Sequence, residues 1–490
     1  MAKWKLQSIE SVEVSPEDVV IILGLEGTPS GELPGGRFAV LRHRIAASLR
    51  DQKEGKSKAP EWVEAEGVRA IAAAVADKPG LDADERLRIA AQDGCRLAAQ
   101  RPSPRILVLV DAIPPERQKL VLEGWWFGAY RFDAYKTKSS PAVPELVLCV
   151  KSETAVLSTS ILEDGSRVLE ATDWVRDAVN EPGSVLPPRA LASRMEALSK
   201  PRGIRWRAWG RKELEKEGCE GLITVGKGSD HEPVLGVAEY KPRKAIQGVH
   251  LVLVGKGVTF DTGGISIKPS ERMWEMKNDM AGSATVMGAI AAIASLELPI
   301  QVSAVVCLAE NRPGNASVLP GDIFKARNGL TVMVDNTDAE GRLVLSDGLH
   351  EAGLLGATHI VDLATLTGAV IRALGSSIAG LFTNDEEFGE LVRMCGQAHG
   401  EKLWPLPMEA EYRSKLDDPV ADLRNVGGVE AGATTAALFL QEFVPKNTPW
   451  VHMDIAGTAF ATKTWKYWSE GATSFGVRTL VELARRLATP

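Results

Sequence analysis

His250-Leu251-Val252-Leu253-Val254-Gly255-Lys256-Gly257-Val258-Thr259-Phe260-Asp261-Thr262-Gly263-Gly264 is the stretch on which the fold turns. Its first five residues are a short apolar run with β-branched members and no polar alternation, the pattern of a strand buried on both faces. Four glycines, Lys256 and Asp261 then crowd the end of that strand, with Lys268 a few residues on, as in a backbone bent tightly around something polar. A phosphate loop is a poor reading, because the pattern G-x-x-x-x-G-K-[ST] is absent and Asp261 would repel phosphate.

Outward from this stretch, strand-like runs at 301–308, 330–334, 358–363 and 450–455 alternate with helix-like runs at 280–296, 343–355 and 386–399. Strands alternating with helices predict an α/β domain with a mixed, mostly parallel central sheet flanked by helices. Ligands of such sheets sit beyond the carboxyl ends of the strands. The run 280–296 is uncharged but rich in Ala, Gly, Ser and Thr, and it is shorter than the roughly 20 apolar residues of a membrane span, so it reads as a buried helix. Toward the N-terminus, strands at 19–24, 105–110 and 145–150 and helices at 84–100 and 116–130 predict a smaller α/β domain over 1–165, with loops at 27–36 and 51–60. A helix over 172–180 runs into Glu181-Pro182-Gly183, which places a linker and junction at 166–190 and a second, larger domain at 191–490.

The composition is that of an ordinary globular protein. Across 490 residues, 57 Lys and Arg against 64 Asp and Glu give a net charge of −7, which makes nucleic acid or an acidic membrane an improbable main partner. Five scattered cysteines form no C-x-x-C pair, and the first residues lack an apolar signal core, so a reducing, cytoplasmic setting is expected. The seven histidines show no i, i+4 pair. His250, His359 and His452 lie in apolar strands as core residues, so a metal site here must rest on oxygen ligands.

Oxygen ligands are available. Asp279 opens the helix at 280, where it could serve simply as an N-cap. After the run 330–334 comes Asp335-Asn336-Thr337-Asp338-Ala339-Glu340-Gly341-Arg342-Leu343. If extended, it would point Asn336, Asp338, Glu340 and Arg342 to one side. Its apolar flanks hold the acidic pair near the core. Asp261, Asp279, Asp338 and Glu340, placed at strand ends of one sheet, would force protons on one another unless cations intervene. Two divalent ions, roughly 3.5–4 Å apart, balance four carboxylates and are the usual engine of amide or phosphoester hydrolysis. Lys256 or Lys268 can instead neutralise the cluster, or a buried lysine can lose its proton and serve as a nitrogen ligand.

The octapeptide Asn336 to Leu343 resembles the signature of the leucine (cytosol) aminopeptidases. The likeness extends through 255–270, 276–282, Val361-Asp362-Leu363-Ala364-Thr365-Leu366-Thr367-Gly368 and His452-Met453-Asp454-Ile455-Ala456-Gly457, and covers about 170–490; residues 1–165 resemble the family more loosely. The resemblance implies an exopeptidase that releases N-terminal, Leu-like residues from peptides through a two-metal-bridged hydroxide. It implies Lys256, Asp261, Asp279, Asp338 and Glu340 as ligands of two ions, Zn or Mn, with Mg or Co as alternatives. Lys268 then polarises the scissile carbonyl, and Arg342, helped by the backbone near Leu366, holds a bicarbonate that acts as general base. Met276, Thr365 and Ala456 line the side-chain pocket, and Asn336 and Leu366 also contact substrate. A homohexamer is implied as well. A dinuclear phosphoesterase using the same carboxylates and a non-catalytic scaffold of the same fold are the competing readings; Lys256 and a lone Arg342 are poor equipment for the former, and intact ligand positions disfavour the latter.

Overall fold

Val19–Leu25 shows why the N-terminal strands read as unbroken apolar runs. Val19, Ile21 and Leu23 join one apolar cluster with residues of the helices Ala83–Ala98 and Pro115–Ala129, while Val20 and Ile22 join a second with Leu41, Ile45 and Leu49 of the helix Ala39–Lys53. Both faces of the strand are dry. A computed structural model of the chain describes residues 3–25, 28–31, 39–77, 79–138 and 142–489. In it the strands order as Trp4–Ser8, Glu145–Val150, Arg105–Leu109, Val19–Leu25, Val68–Ala74, Glu61–Ala65, parallel except for the last pair.

Two expectations for this region change. The polar stretch at 51–60 is helical as far as Lys53, because Leu41, Ile45 and Leu49 share their buried face with Ser48 and Gln52, whose polarity hides the stripe. Of the loop expected at 27–36, Thr28–Pro29 pairs with Val19–Leu25, Ser30 and Gly31 follow it, and the rest lies outside the described residues.

The chain divides into two compact units, Met1–Glu170 with Lys463–Glu470, and Ala171–Thr462 with Gly471–Pro490. The division, between Glu170 and Ala171, falls within the helix Ala155–Asn180. Lys463–Glu470 belongs to the first unit because Tyr467 and Trp468 are buried there, with the Trp468 ring centroid 4.5 Å from that of Phe127. A late segment packing into an early unit is invisible to any reading in contiguous ranges.

In the second unit eight strands order as Leu403–Pro405, Ala379–Thr383, Trp450–Asp454, His359–Ala364, His250–Asp261, Gln301–Asn311, Val234–Tyr240, Arg205–Trp209. The four from Trp450–Asp454 to Gln301–Asn311 are mutually parallel, and antiparallel pairs flank them, so the class is the expected mixed α/β one. Helix Ala281–Ser295 is buried throughout except at its last residue, as its small apolar composition requires. One strand is misplaced by the sequence reading: Thr331–Met333 lies in a separate three-stranded sheet with Ile323–Lys325 and Leu423–Arg424, so the carboxylates after it are not at a strand end of the central sheet. Among the described residues no helix is long and apolar enough to cross a membrane.

Candidate metal centre

His250–Asp261 carries its polar residues on a defined face. Val252, Val254 and Val258 join the cluster that includes Leu343 and Val344 of helix Gly341–Leu354, so Lys256, in phase with them, points toward that helix. Space for it comes from Gly341, where a Cβ would stand 2.7 Å from Lys256 Cε. Strict alternation would turn Asp261 away from Lys256, but the pairing with Gln301–Asn311 shifts register between Val258 and Asp261. Irregularities of this kind re-aim side chains at strand ends, and here the carboxylate joins the same cluster.

The octapeptide is not extended. Asn336 Oδ1 accepts the Asp338 amide at 2.8 Å, closing an Asx turn, and helix Gly341–Leu354 starts at once after Glu340. Turn and helix, not strand alternation, bring Asp338 and Glu340 together. Lys256 Nζ lies 2.7 Å from Asp279 Oδ2 and 2.8 Å from Glu340 Oε1, while Lys268 Nζ lies 2.8 Å from Asp261 Oδ2 and also pairs with Asp338. Carboxylate oxygens of Asp261, Asp338 and Glu340 lie within 4.8 Å of one another.

Burial opposes ionisation of every member. It raises Asp261, Asp279 and Asp338 above the usual carboxylate range, with Glu340 adding repulsion at each. At Glu340 burial is outweighed by Lys256 and Lys268, which hold it below that range. Burial also disfavours both ammonium groups, yet the surrounding carboxylates keep Lys256 and Lys268 protonated well above the ordinary lysine value. The two ammonium groups thus stand where the cluster demands positive charge.

The donor set fits a pair of divalent cations. Glu340 Oε2 is buried with no hydrogen-bond partner, and Asp279 Oδ2 and Asp338 Oδ1 touch lysines without accepting a well-formed hydrogen bond. Unsatisfied buried acceptors of this sort are costly unless a cation takes them.

Arg342 Nη1 donates to the Asn425 carbonyl at 2.7 Å, and its Nε is buried without a partner. Burial pushes the guanidinium down to about 10, which leaves it charged at neutral pH. Thr365 Oγ1 donates to Asp279 Oδ1 at 2.7 Å, and its carbonyl accepts Lys256 Nζ at 2.9 Å. The Leu366 amide is already given to Asp454 Oδ1 at 3.1 Å. Met276 lies in the 3₁₀ turn Met273–Asn278, its carbonyl accepting the Asp279 amide at 3.3 Å, and Ala456 and Leu366 pack, partly exposed, on the apolar cluster beneath.

Three residues that support the centre escaped the sequence reading. Asn311 Nδ2 donates to Asp261 Oδ1 at 2.8 Å and to the Thr337 carbonyl at 3.0 Å, and its place at the end of a long apolar strand was a usable signal. Thr337 Oγ1 donates to the Gly263 carbonyl at 2.6 Å, where φ is +87° and a Cβ would stand 2.9 Å from Asp338 Oδ1. Asn425 Oδ1 accepts the Asp335 and Asn336 amides, and its Nδ2 donates to the Asn336 carbonyl at 2.7 Å; it follows a two-residue strand, and nothing in the sequence marks it. His250 bonds Ser303 Oγ at 2.9 Å and His452 bonds Asp362 at 2.6 Å, neither bonding one of the four clustered carboxylates, while His359 is only partly buried and meets Thr358 Oγ1 at 3.0 Å. All five cysteines are free and buried.

A parallel-centred α/β sheet with a buried lysine and carboxylate cluster, whose donor set fits a pair of cations, is the arrangement of a metallohydrolase. The catalytic-domain model of the cytosol aminopeptidase family matches residues 173–481, and the chain belongs to that family of metallo-exopeptidases. It is 45% identical over 373 residues to a probable cytosol aminopeptidase of Geobacter sulfurreducens, covering 76% of this chain and 75% of that one. It is 40% identical over 382 residues to one of Aquifex aeolicus, covering 77% and 76%. Among solved structures, the bottromycin maturation enzyme BotP in complex with Mn superposes with a TM-score of 0.83 at 31% identity, over 97% of this chain and all of that one.

Proposed function

We propose that Lys256, Asp261, Asp279, Asp338 and Glu340 hold two divalent cations and that the chain removes N-terminal, Leu-like residues from peptides. The observation that carries this is the convergence of the four carboxylates, from three separated stretches, on the Lys256 and Lys268 ammonium groups within ion-pair distance. When bound, the cations supply Lewis acidity toward a peptide carbonyl and lower the pKa of water. Lys256 gives up its proton to become a ligand, so cation binding releases protons. Lys268, whose side chain is 21% exposed, stands at the open side, where its charge meets the oxygen that turns negative as the carbonyl is attacked. Arg342 keeps Nε free for a bicarbonate that moves the proton, and because the Leu366 amide is engaged by Asp454, Arg342 bears most of that binding. Met276, Thr365, Leu366, Ala456 and Asn336 border the space for the first residue of the peptide.

Zn or Mn suits this set of one nitrogen and four carboxylates, with Mg or Co as substitutes. Five free buried cysteines fit a cytoplasmic setting, and light scattering checks the proposed homohexamer, expected at about six chain masses. The test of the activity is release of p-nitroaniline from Leu-p-nitroanilide and from its N-acetylated form. Activity on the free amine, lost on chelation and restored by Zn²⁺, Mn²⁺ or Co²⁺, is expected; equal turnover of the acetylated compound or indifference to chelator overturns the reading.

A further inference from the structure

Asp454 ends the strand Trp450–Asp454 and is fully buried, so it touches neither solvent nor substrate. It pairs in register with Ala364, the last residue of the neighbouring parallel strand, and at this point the two chains diverge. The carboxylate holds both branches. Oδ1 accepts the amides of Leu366 at 3.1 Å and Ala456 at 3.2 Å, and Oδ2 accepts Thr367 Oγ1 at 2.7 Å.

The consequence lies in one peptide plane. The Leu366 N–H and the Thr365 C=O belong to the same planar trans amide, so they point in opposite directions and cannot turn independently. One end is bound to Asp454, and the other accepts Lys256 Nζ at 2.9 Å. Thr365 Oγ1 also binds Asp279 Oδ1 at 2.7 Å. A neutral lysine has two N–H donors and one lone pair, so a carbonyl that takes one N–H confines the lone pair to the two remaining positions on nitrogen.

We propose that Asp454 is a positioning residue that, through the peptide 365–366, aims the Lys256 amine and the Asp279 carboxylate at the cation position those two residues share. The proposal rests on the two-metal reading. It assigns the effect to one position: Asp261 and Asp338, which would hold the other cation, have no link to Asp454 through this peptide, since Asp261 is held by Asn311 and Gly263 instead.

Calorimetric titration of chelator-stripped enzyme with Mn²⁺ tests it, comparing wild type with Asp454→Asn. Loss of an outer partner of a ligand typically weakens metal affinity about 10–100-fold, and here one of two equivalents weakens by that factor while the other stays within about threefold. At sub-saturating Mn²⁺, kcat for Leu-p-nitroanilide falls with KM nearly unchanged, and excess Mn²⁺ restores most of it. A residue that merely stabilised the fold would lower the unfolding midpoint and leave the two affinities alone. Two equivalents of wild-type affinity, or equal weakening of both, overturns the proposal. Should Asp454→Asn not fold, Thr367→Val removes the hydroxyl on Oδ2, keeps the carboxylate, and is expected to weaken the same equivalent by a smaller factor; unchanged affinities there overturn the proposal. A wild-type enzyme that takes up fewer than two equivalents overturns the two-metal reading itself, and this inference with it.

Discussion

The two halves of the proposed metal centre differ in how they meet water. Lys256, Asp279 and Glu340 are each at most 4% exposed, whereas the side chains of Lys268 and Asp338 are 21% and 31% exposed. The closed half is gripped by protein: Thr365 holds both Lys256 and Asp279, and Gly341 leaves just the room that Lys256 fills. The open half is held by asparagine clamps, Asp338 on its turn through Asn336 and Asp261, itself only 2% exposed at the end of its strand, through Asn311. The difference separates tasks. A site that must keep its ions and still admit a peptide can bury one side and expose the other.

Glu340 joins the halves, touching Lys256 while lying beside Asp261 and Asp338. Glu340→Gln is therefore expected to have the largest effect, a loss in kcat beyond about 10³-fold with the folded structure retained, measured by steady-state kinetics beside far-UV circular dichroism. Activity at the wild-type level would remove Glu340 from the centre.

The paired variants Lys256→Met and Lys268→Met test the division itself. Lys268→Met should lower kcat by roughly 10²–10³-fold with metal content unchanged, and Lys256→Met should first cost bound metal. Metal analysis and kinetics on the same preparations decide, and the opposite assignment would break the comparison.

Smaller effects are expected at the supports. Asn311→Ala and Asn425→Ala should each weaken Mn²⁺ binding or activity by about 10–100-fold, Asn311 through Asp261 and Asn425 through the turn that carries Asp338. An Asn425→Ala enzyme with wild-type kinetics would show that the turn stands without its clamp.

The smallest effect concerns a buried acid that no lysine reaches. Asp347 accepts the Leu222 amide at 2.8 Å, and its Oδ1 has no partner. Burial pushes it up to about 7. In the centre ammonium groups offset the burial of carboxylates; at Asp347 burial prevails over the Arg327 charge. Because the folded state holds the Asp347 proton after the unfolded chain has lost it, stability falls as pH rises from about 4 and levels off near 7. Asp347→Asn should remove this slope, a difference on the order of a few kcal/mol at most, since each pKa unit is worth about 1.4 kcal/mol. Urea midpoints of wild type and variant at pH 5 and pH 8 measure it; parallel changes in the two proteins would show that Asp347 is ionised in the fold.

Much of this was legible in the chain alone. Apolar runs such as Val19–Leu25 and His250–Asp261, buried on both faces, declare a parallel α/β sheet because no polar alternation is needed where neither face is wet. The mutual repulsion of Asp261, Asp279, Asp338 and Glu340 declares a need for cations, since charge is a property of residue type. Direction is not. Whether Glu340 follows a strand or caps a helix depended on an Asx turn, and whether Asp261 shares a side with Lys256 depended on a register shift. Asn425 and Asp454 matter through what lies 89 and 88 residues away in sequence, the turn at Asn336 and the Leu366 amide. Local patterns carry periodicity and charge; which polar groups satisfy one another across the sheet edge is decided only when distant segments meet and every buried donor must find an acceptor.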